Sequence, residues 1–215
     1  LYVDGFNLYH ALDSLNRPHL KWLDLAALAR ELTPKSQRVS RVVWCSAYRP
    51  QMRAKLRRHQ TYHDALEARG VVCRMGHFVV MSDGCNACGH TWTVSMEKQG
   101  DVNLALSLVA DAEDDLFDVA YLMTTDGDHA APARYLKQRF PKKTLVVVAP
   151  PERRHNRFLL EWADWKTTVD LDQLERALLP AAMNGPDGEA IVRPSAYDPP
   201  PEIRRGPLRL VHSAS

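Results

Sequence analysis

Short apolar strands separated by amphipathic helices leave this chain few folds to choose from. The runs 41–48 (RVVWCSAY), 118–124 (DVAYLMT) and 144–149 (TLVVVA) are apolar without strict alternation. Such strands bury both faces, as in a parallel sheet covered by helices on each side. Helical periodicity fills the intervals. It covers 23–32 through Leu25, Leu28 and Leu32, and 50–69 between Pro50 and Gly70. It returns at 100–115 and at 129–140, where Pro132 stands in the first turn, a place that tolerates proline. Shorter helices are expected at 157–165 and 171–179, with a strand at 167–169 between them, and the apolar start 1–3 reads as a strand remnant. A strand from 71 to 81, a turn at Ser82-Asp83-Gly84 and a return strand at 91–96 predict a hairpin insertion. The expected fold is a three-layer α/β/α sandwich on a mostly parallel sheet, spanning residues 1–179, with the hairpin occupying 71–96.

Residues 180–215 differ in character. They hold seven of the fourteen prolines and no clear periodicity, and read as an extended Pro-rich tail. Composition excludes some classes outright. At 215 residues, with 45% apolar and 25% charged side chains, the chain can build a core and is not disordered. No apolar run approaches the ~20 residues of a membrane helix, so no membrane role is expected. The start reads directly into a strand, with a few residues expected to precede Leu1, and the cysteines suit reduced thiols or a metal; a cytoplasmic location is expected. The net charge of +2 is too mild to identify a nucleic-acid partner by itself.

The chemistry concentrates where strands end. Ligand sites of open α/β sheets form at carboxyl ends of strands. One strand runs into Asp4-Gly5-Phe6-Asn7 and another into Thr124-Thr125-Asp126-Gly127-Asp128. A third acid, Asp101, stands in the first turn of the helix feeding the second strand. Each aspartate alone could be an N-cap or turn residue. Converged, the four carboxylates would repel unless a cation neutralised them, and an all-oxygen set suits Mg²⁺ or Mn²⁺. No phosphate-binding P-loop, dinucleotide fingerprint or nucleophile elbow occurs.

Three segments carry a resemblance: V-D-G-F-N-L-Y at 3–9, E-K-x-x-D-V through Glu97, Lys98, Asp101 and Val102, and T-T-D-G-D at 124–128. In this order they resemble the signature segments of the NYN domain, in its LabA-like branch within the PIN-like ribonuclease superfamily. The resemblance implies a PIN-like sandwich and a metal-dependent ribonuclease acting on RNA. It places Asp4, Asp101, Asp126 and Asp128 at the acidic metal positions, with Asn7 and Thr125 as their polar partners. Two departures stand out. His129 occupies a position where the family commonly has an aromatic or apolar residue, and Gln99-Gly100 replaces a glycine-then-apolar pair. The alternative function is a non-catalytic RNA-binding or protein-scaffolding module on the same fold.

Two further features are candidates. Cys85-Asn86-Ala87-Cys88-Gly89-His90 has the look of a zinc knuckle, but zinc takes four ligands and the pair supplies two. His90, His77 or Cys73 could complete a structural Zn²⁺ site, or a second chain could, in a homodimer. Residues 49–69 hold six Lys/Arg against two acids. Arg53, Arg57 and Arg58 are therefore candidate phosphate contacts, as are Arg153, Arg154 and Arg157 beyond the strand ending at Ala149. Trp162 and Trp165 are expected to pack rather than to stack a base.

Overall fold

A computed structural model describes residues 1–200; residues 201–215 of the C-terminal tail lie outside the described part. Seven strands form one sheet in the order β4-β3-β2-β1-β5-β6-β7. They are β1 (Tyr2–Asp4), β2 (Val43–Ala47), β3 (Val72–Gly84), β4 (Thr91–Lys98), β5 (Val119–Met123), β6 (Thr144–Ala149) and β7 (Trp165–Thr168). Every pairing is parallel except β3 with β4. The sandwich expected from the apolar runs is thus the observed architecture.

Alternation along the strands builds two cores. Val3, Trp44, Met123, Val146 and Val148 face helices α1 (Gly5–Ser14), α2 (Leu25–Leu32), α3 (Arg53–Ala68) and α7 (Leu171–Arg176), burying Leu8, Leu12, Leu25, Leu28, Leu66 and Leu174. Tyr2, Val43, Cys45, Leu122, Leu145 and Val147 face α4 (Gly100–Glu113), α5 (Ala130–Arg139) and α6 (Arg157–Leu160), burying Leu104, Leu108, Ala133, Leu136 and Leu159. With both faces covered, the strands have little use for polar alternation.

Helix α1 went unread in the sequence. Its start is nonetheless local: Asp4 caps it by accepting from the Asn7 N–H at 3.0 Å, and Leu8, Ala11 and Leu12 give the buried face. Gly5 lets it approach β2, because a Cβ there would stand 2.5 Å from the Cys45 carbonyl oxygen and 2.6 Å from Trp44 Nε1.

Three elements depart from the sequence reading. Strand β3 continues through Ser82-Asp83-Gly84 and β4 begins at Thr91, so the chain turns at 85–90 and the Cys-x-x-Cys pair sits at the tip. The 157–165 helix is only the four residues of α6, and β7 begins at Trp165. The first part of the tail is ordered rather than extended: β8 (Ala182–Asn184) pairs antiparallel with β9 (Ala190–Val192). Met183, Ile191 and Tyr197 pack against buried Trp22, Ala65 and Leu179, and Trp22 Nε1 donates to the Pro180 carbonyl at 2.8 Å. That apolar contact, not local periodicity, orders the segment. No helix among the described residues is long and apolar enough to cross a membrane.

Candidate functional site

From β1 the chain builds outward through β2 and β3, and from β5 outward the other way through β6 and β7. The two directions part between β1 and β5, the switch point where ligands bind in open α/β sheets. Asp4 ends β1 and Thr124 follows β5, and Val3 pairs with Met123. The two chain ends are joined directly: Thr124 Oγ1 donates to Asp4 Oδ2 at 2.9 Å, and the Asp126 N–H donates to Thr124 Oγ1 at 3.0 Å. Asn7 ties the next residue in, accepting from the Thr125 N–H at 3.1 Å and donating from Nδ2 to Thr125 Oγ1 at 3.1 Å.

Asp101 arrives by a longer route. The antiparallel return of β4 brings Lys98 opposite His77, back at the carboxyl edge of the sheet, so α4 begins there. Glu97 accepts from the Gly100 N–H at 2.8 Å and secures that start. A Cβ on Gly100 would come 2.8 Å from Glu97 Oε1, so a larger residue would push this carboxylate aside. Gln99, at φ 78°, takes a left-handed turn that glycine would adopt without strain.

The resulting cleft, about 620 Å³, is lined by Asp4, Asn7, Glu97, Asp101, Thr125 and Asp126, with Arg49 and Arg153 among its cationic groups. Ligand atoms of Asp4, Asp101 and His129 lie within 4.8 Å of one another. His129 Nε2 stands 3.3 Å from Asp101 Oδ1 and 3.8 Å from Asp4 Oδ2. His129 is buried, and Nε2 has no hydrogen-bond partner among the described residues. Burial pushes the Asp4 carboxyl above the usual carboxylate range, against the pull of its bonds from Asn7 and Thr124. Burial raises Glu97 too, and the charges of Asp101 and Asp4 add to the effect. A bound cation would relieve both.

The structure brings the sequence candidates together unevenly. Asp4 and Asp101 meet. Asp126 lines the same cleft but is exposed, and its carboxylate accepts from the Asp128 N–H at 3.0 Å. Asp128 is exposed and does not line the cleft. The tight group is therefore two carboxylates and an imidazole, rather than four aspartates. In the sequence His129 stands out only as a departure from a family pattern, and Glu97 only as part of a motif. His129 stands beside Asp4 and Asp101, and Glu97 lines the cleft, because of where the 3₁₀ turn Gly127–His129 and the end of β4 fall.

The basic candidates also separate. Arg153 reaches the cleft and is anchored on α1, donating to the His10 carbonyl at 3.0 Å and to Ser14 Oγ at 3.1 Å. Arg49, which the sequence reading did not single out, lies over the Phe78 ring at 5.6 Å on the cleft wall. Arg53, Arg57, Arg154 and Arg157 do not line it. Arg58 faces a neighbouring aromatic pocket instead, with Tyr9, Trp44, Tyr62 and Tyr197. His59 of the same helix packs on Trp44 and Tyr48, and burial pushes it down to about 4, so it offers no cation at neutral pH. Trp162 packs on the core as expected, whereas Trp165 is exposed on the outermost strand.

Cys73 is not near the knuckle. It stands at the base of β3, close to His63 and Glu67 of α3, and burial pushes its thiol up to about 12. Twelve residues of strand, roughly 40 Å at the usual rise, separate it from Cys85, and His77 is about 26 Å away by the same measure. Neither can join Cys85 and Cys88 in one ion.

The model of the NYN domain matches residues 1–170. The chain belongs to the NYN domain family. No curated protein matches it. Among solved structures, the crystal structure of a protein of unknown function from Vibrio parahaemolyticus aligns with a TM-score of 0.48 and 21% identity, covering 73% of this chain and 82% of that one. The NYN domain belongs to the PIN-like nuclease superfamily, and the match takes in β1 through β7 with every residue of the acidic cleft. This NYN chain therefore carries a nuclease-family fold with an acidic group, Asp4, Asp101 and His129, that could hold a metal ion.

Proposed function

We propose that this NYN protein is a divalent-metal-dependent ribonuclease that hydrolyses RNA phosphodiester bonds in the cleft between the ends of β1 and β5. The observation that carries this reading is the buried His129 Nε2, without a hydrogen-bond partner among the described residues and directed at two carboxylates. A buried polar atom left unsatisfied costs about 1–3 kcal/mol, and a cation shared with Asp4 and Asp101 removes that cost. The donor set fits such an ion. Two carboxylate oxygens and one imidazole nitrogen suit Mn²⁺ better than Mg²⁺, whose preference is for oxygen alone.

When bound, the ion supplies Lewis-acid stabilisation of charge on the phosphate and lowers the pKa of water at the site. The chain's own residues do the rest. Asn7 and Thr125, locked to each other, present an amide and a hydroxyl on the cleft wall that can hold a phosphate oxygen or the attacking water. Arg49 and Arg153 draw the polyanion against an otherwise acidic surface. Asp126, exposed at the rim, is placed to accept a proton from water. The aromatic pocket shares Phe6, His10 and Arg49 with the cleft, so an unpaired base beside the scissile phosphate can stack there.

The test is cleavage of a labelled single-stranded RNA with EDTA, Mg²⁺ or Mn²⁺. Wild type should cut with Mn²⁺ and fail in EDTA. Asp101→Asn changes a half-exposed side chain, so folding should survive while turnover falls by a factor of roughly 10² or more. Full activity in EDTA, or equal turnover by the variant, rejects the reading.

A further inference from the structure

Beyond Gly76 the β3–β4 hairpin leaves the sheet. β2 pairs with β3 only as far as Gly76, and from His77 onward the two hairpin strands pair only with each other. A two-stranded ribbon is marginal alone in water. This one exposes Val80, Met81, Trp92 and Met96, each more than 40% accessible. Directly opposed residues share a face of the ribbon. The pairs Phe78–Glu97 and Val80–Ser95 therefore lie on one side, the side whose base lines the acidic cleft. The pairs Val79–Met96 and Met81–Val94, with Trp92 opposite Asp83, form an apolar strip on the other side, running to the tip.

The tip is built around sulfur. The Cys85 N–H donates to the His90 carbonyl at 2.8 Å, and the Gly89 N–H to the Cys85 carbonyl at 2.8 Å. Gly89 takes φ +70°, which glycine adopts without strain, and so closes the loop. The closed loop holds Cys85 and Cys88 three residues apart at the outer end of the ribbon. Two thiols at this spacing on one turn match half of the ligand set that zinc takes. Nothing else on the chain completes it among the described residues. His90 is stacked on Trp92, ring centroids 6.1 Å apart, and no group of three ligand atoms forms around Cys85.

We propose that Cys85 and Cys88 are one half of a tetrahedral zinc site, and that the same two cysteines of a second copy of this chain supply the other half. Zinc takes four ligands and the tip presents two, so the site is complete only across a dimer. A twofold axis through the ion gives both halves the same geometry, as an isologous contact requires. With the two hairpins face to face about that axis, the apolar strips would meet and cover Met81, Trp92 and Met96, which the lone ribbon leaves in water.

The experiment uses the full chain purified without chelator, with zinc content and solution mass measured together. The proposal expects half a zinc per chain in a dimer, a monomer after chelation, and a dimer again when Zn²⁺ is returned. Co²⁺ in place of zinc should give thiolate-to-cobalt charge-transfer absorption. The double variant Cys85→Ser, Cys88→Ser should lose that absorption, the zinc and the dimer, with an unchanged far-ultraviolet circular dichroism spectrum, because both sulfurs sit on an outer loop. Trp92→Ser, with the thiols intact, should weaken the dimer by about tenfold or more. Asp101→Asn should keep zinc and dimer, which separates this site from the cleft. One zinc per monomer, a dimer that persists in the zinc-free double variant, or no zinc at all would each overturn the proposal.

Discussion

Replacing Asp4 by asparagine separates the structural duty of this residue from its duty toward an ion. The carboxylate has both. Its Oδ1 caps α1 through the Asn7 N–H, and its Oδ2 accepts from the Thr124 hydroxyl. Asparagine keeps the volume and the capping oxygen. Its amide nitrogen cannot accept from Thr124 but can donate to that oxygen, so the cost is at most about 1 kcal/mol. Against it stands the removal of a carboxylate whose charged form burial disfavours. Metal-free stability should therefore stay within about 1 kcal/mol of wild type. The response to metal should not. At about 100 times its dissociation constant, Mn²⁺ stabilises a protein that binds it by about 2.7 kcal/mol. For a chain of this size, at about 2–4 °C per kcal/mol, that is a rise in Tm of roughly 5–11 °C. Asp4→Asn should lose most of the rise, because Asp4 supplies one of only two carboxylates in the tight group. The assay is calorimetric melting of wild type and variant in metal-free buffer, then with Mn²⁺. An equal Mn²⁺ shift in both proteins refutes the assignment of Asp4 as a ligand. A metal-free variant destabilised by several kcal/mol shows that its role is chiefly to hold β1, α1 and β5 together.

Two further outcomes test the fold itself. Gly5→Ala places a Cβ against the Cys45 carbonyl and the Trp44 indole, neither of which can swing away, so denaturant unfolding should show a loss toward the upper end of about 1–3 kcal/mol. His59 is held at about 4 when folded against 6.5 when free, so the unfolded chain binds the extra proton as pH falls through that window. Stability present above pH 6.5 should decline toward pH 4 by about 3 kcal/mol more in wild type than in His59→Gln, and parallel pH profiles would show that His59 is not buried in this way.

Sheet class, strand positions and the two acid-bearing strand ends are legible in the sequence because they are local. A strand buried on both faces must be apolar throughout, and a carboxyl-end loop must follow it, so Asp4 and Thr124–Asp128 announce themselves wherever the strands go. Helix α1 carries local signals as well, Asp4 as cap and Leu8, Ala11 and Leu12 at helical spacing, but they are hidden behind a motif that reads as a loop. The site depends on what no window of sequence contains. Strand order set β1 beside β5 and so put the Thr124 hydroxyl on Asp4. The antiparallel return of β4 carried α4 to the carboxyl edge and so delivered Asp101. A single 3₁₀ turn moved Asp128 out to solvent and His129 in beneath the acids, exchanging a carboxylate for an imidazole. The zinc-like pair shows the same division. Its spacing and glycine are written in the sequence. That Cys73 and His77 lie far down the strand follows only from a hairpin that extends to the tip, because distance along a β-strand grows by about 3.3 Å with every residue and cannot be folded back.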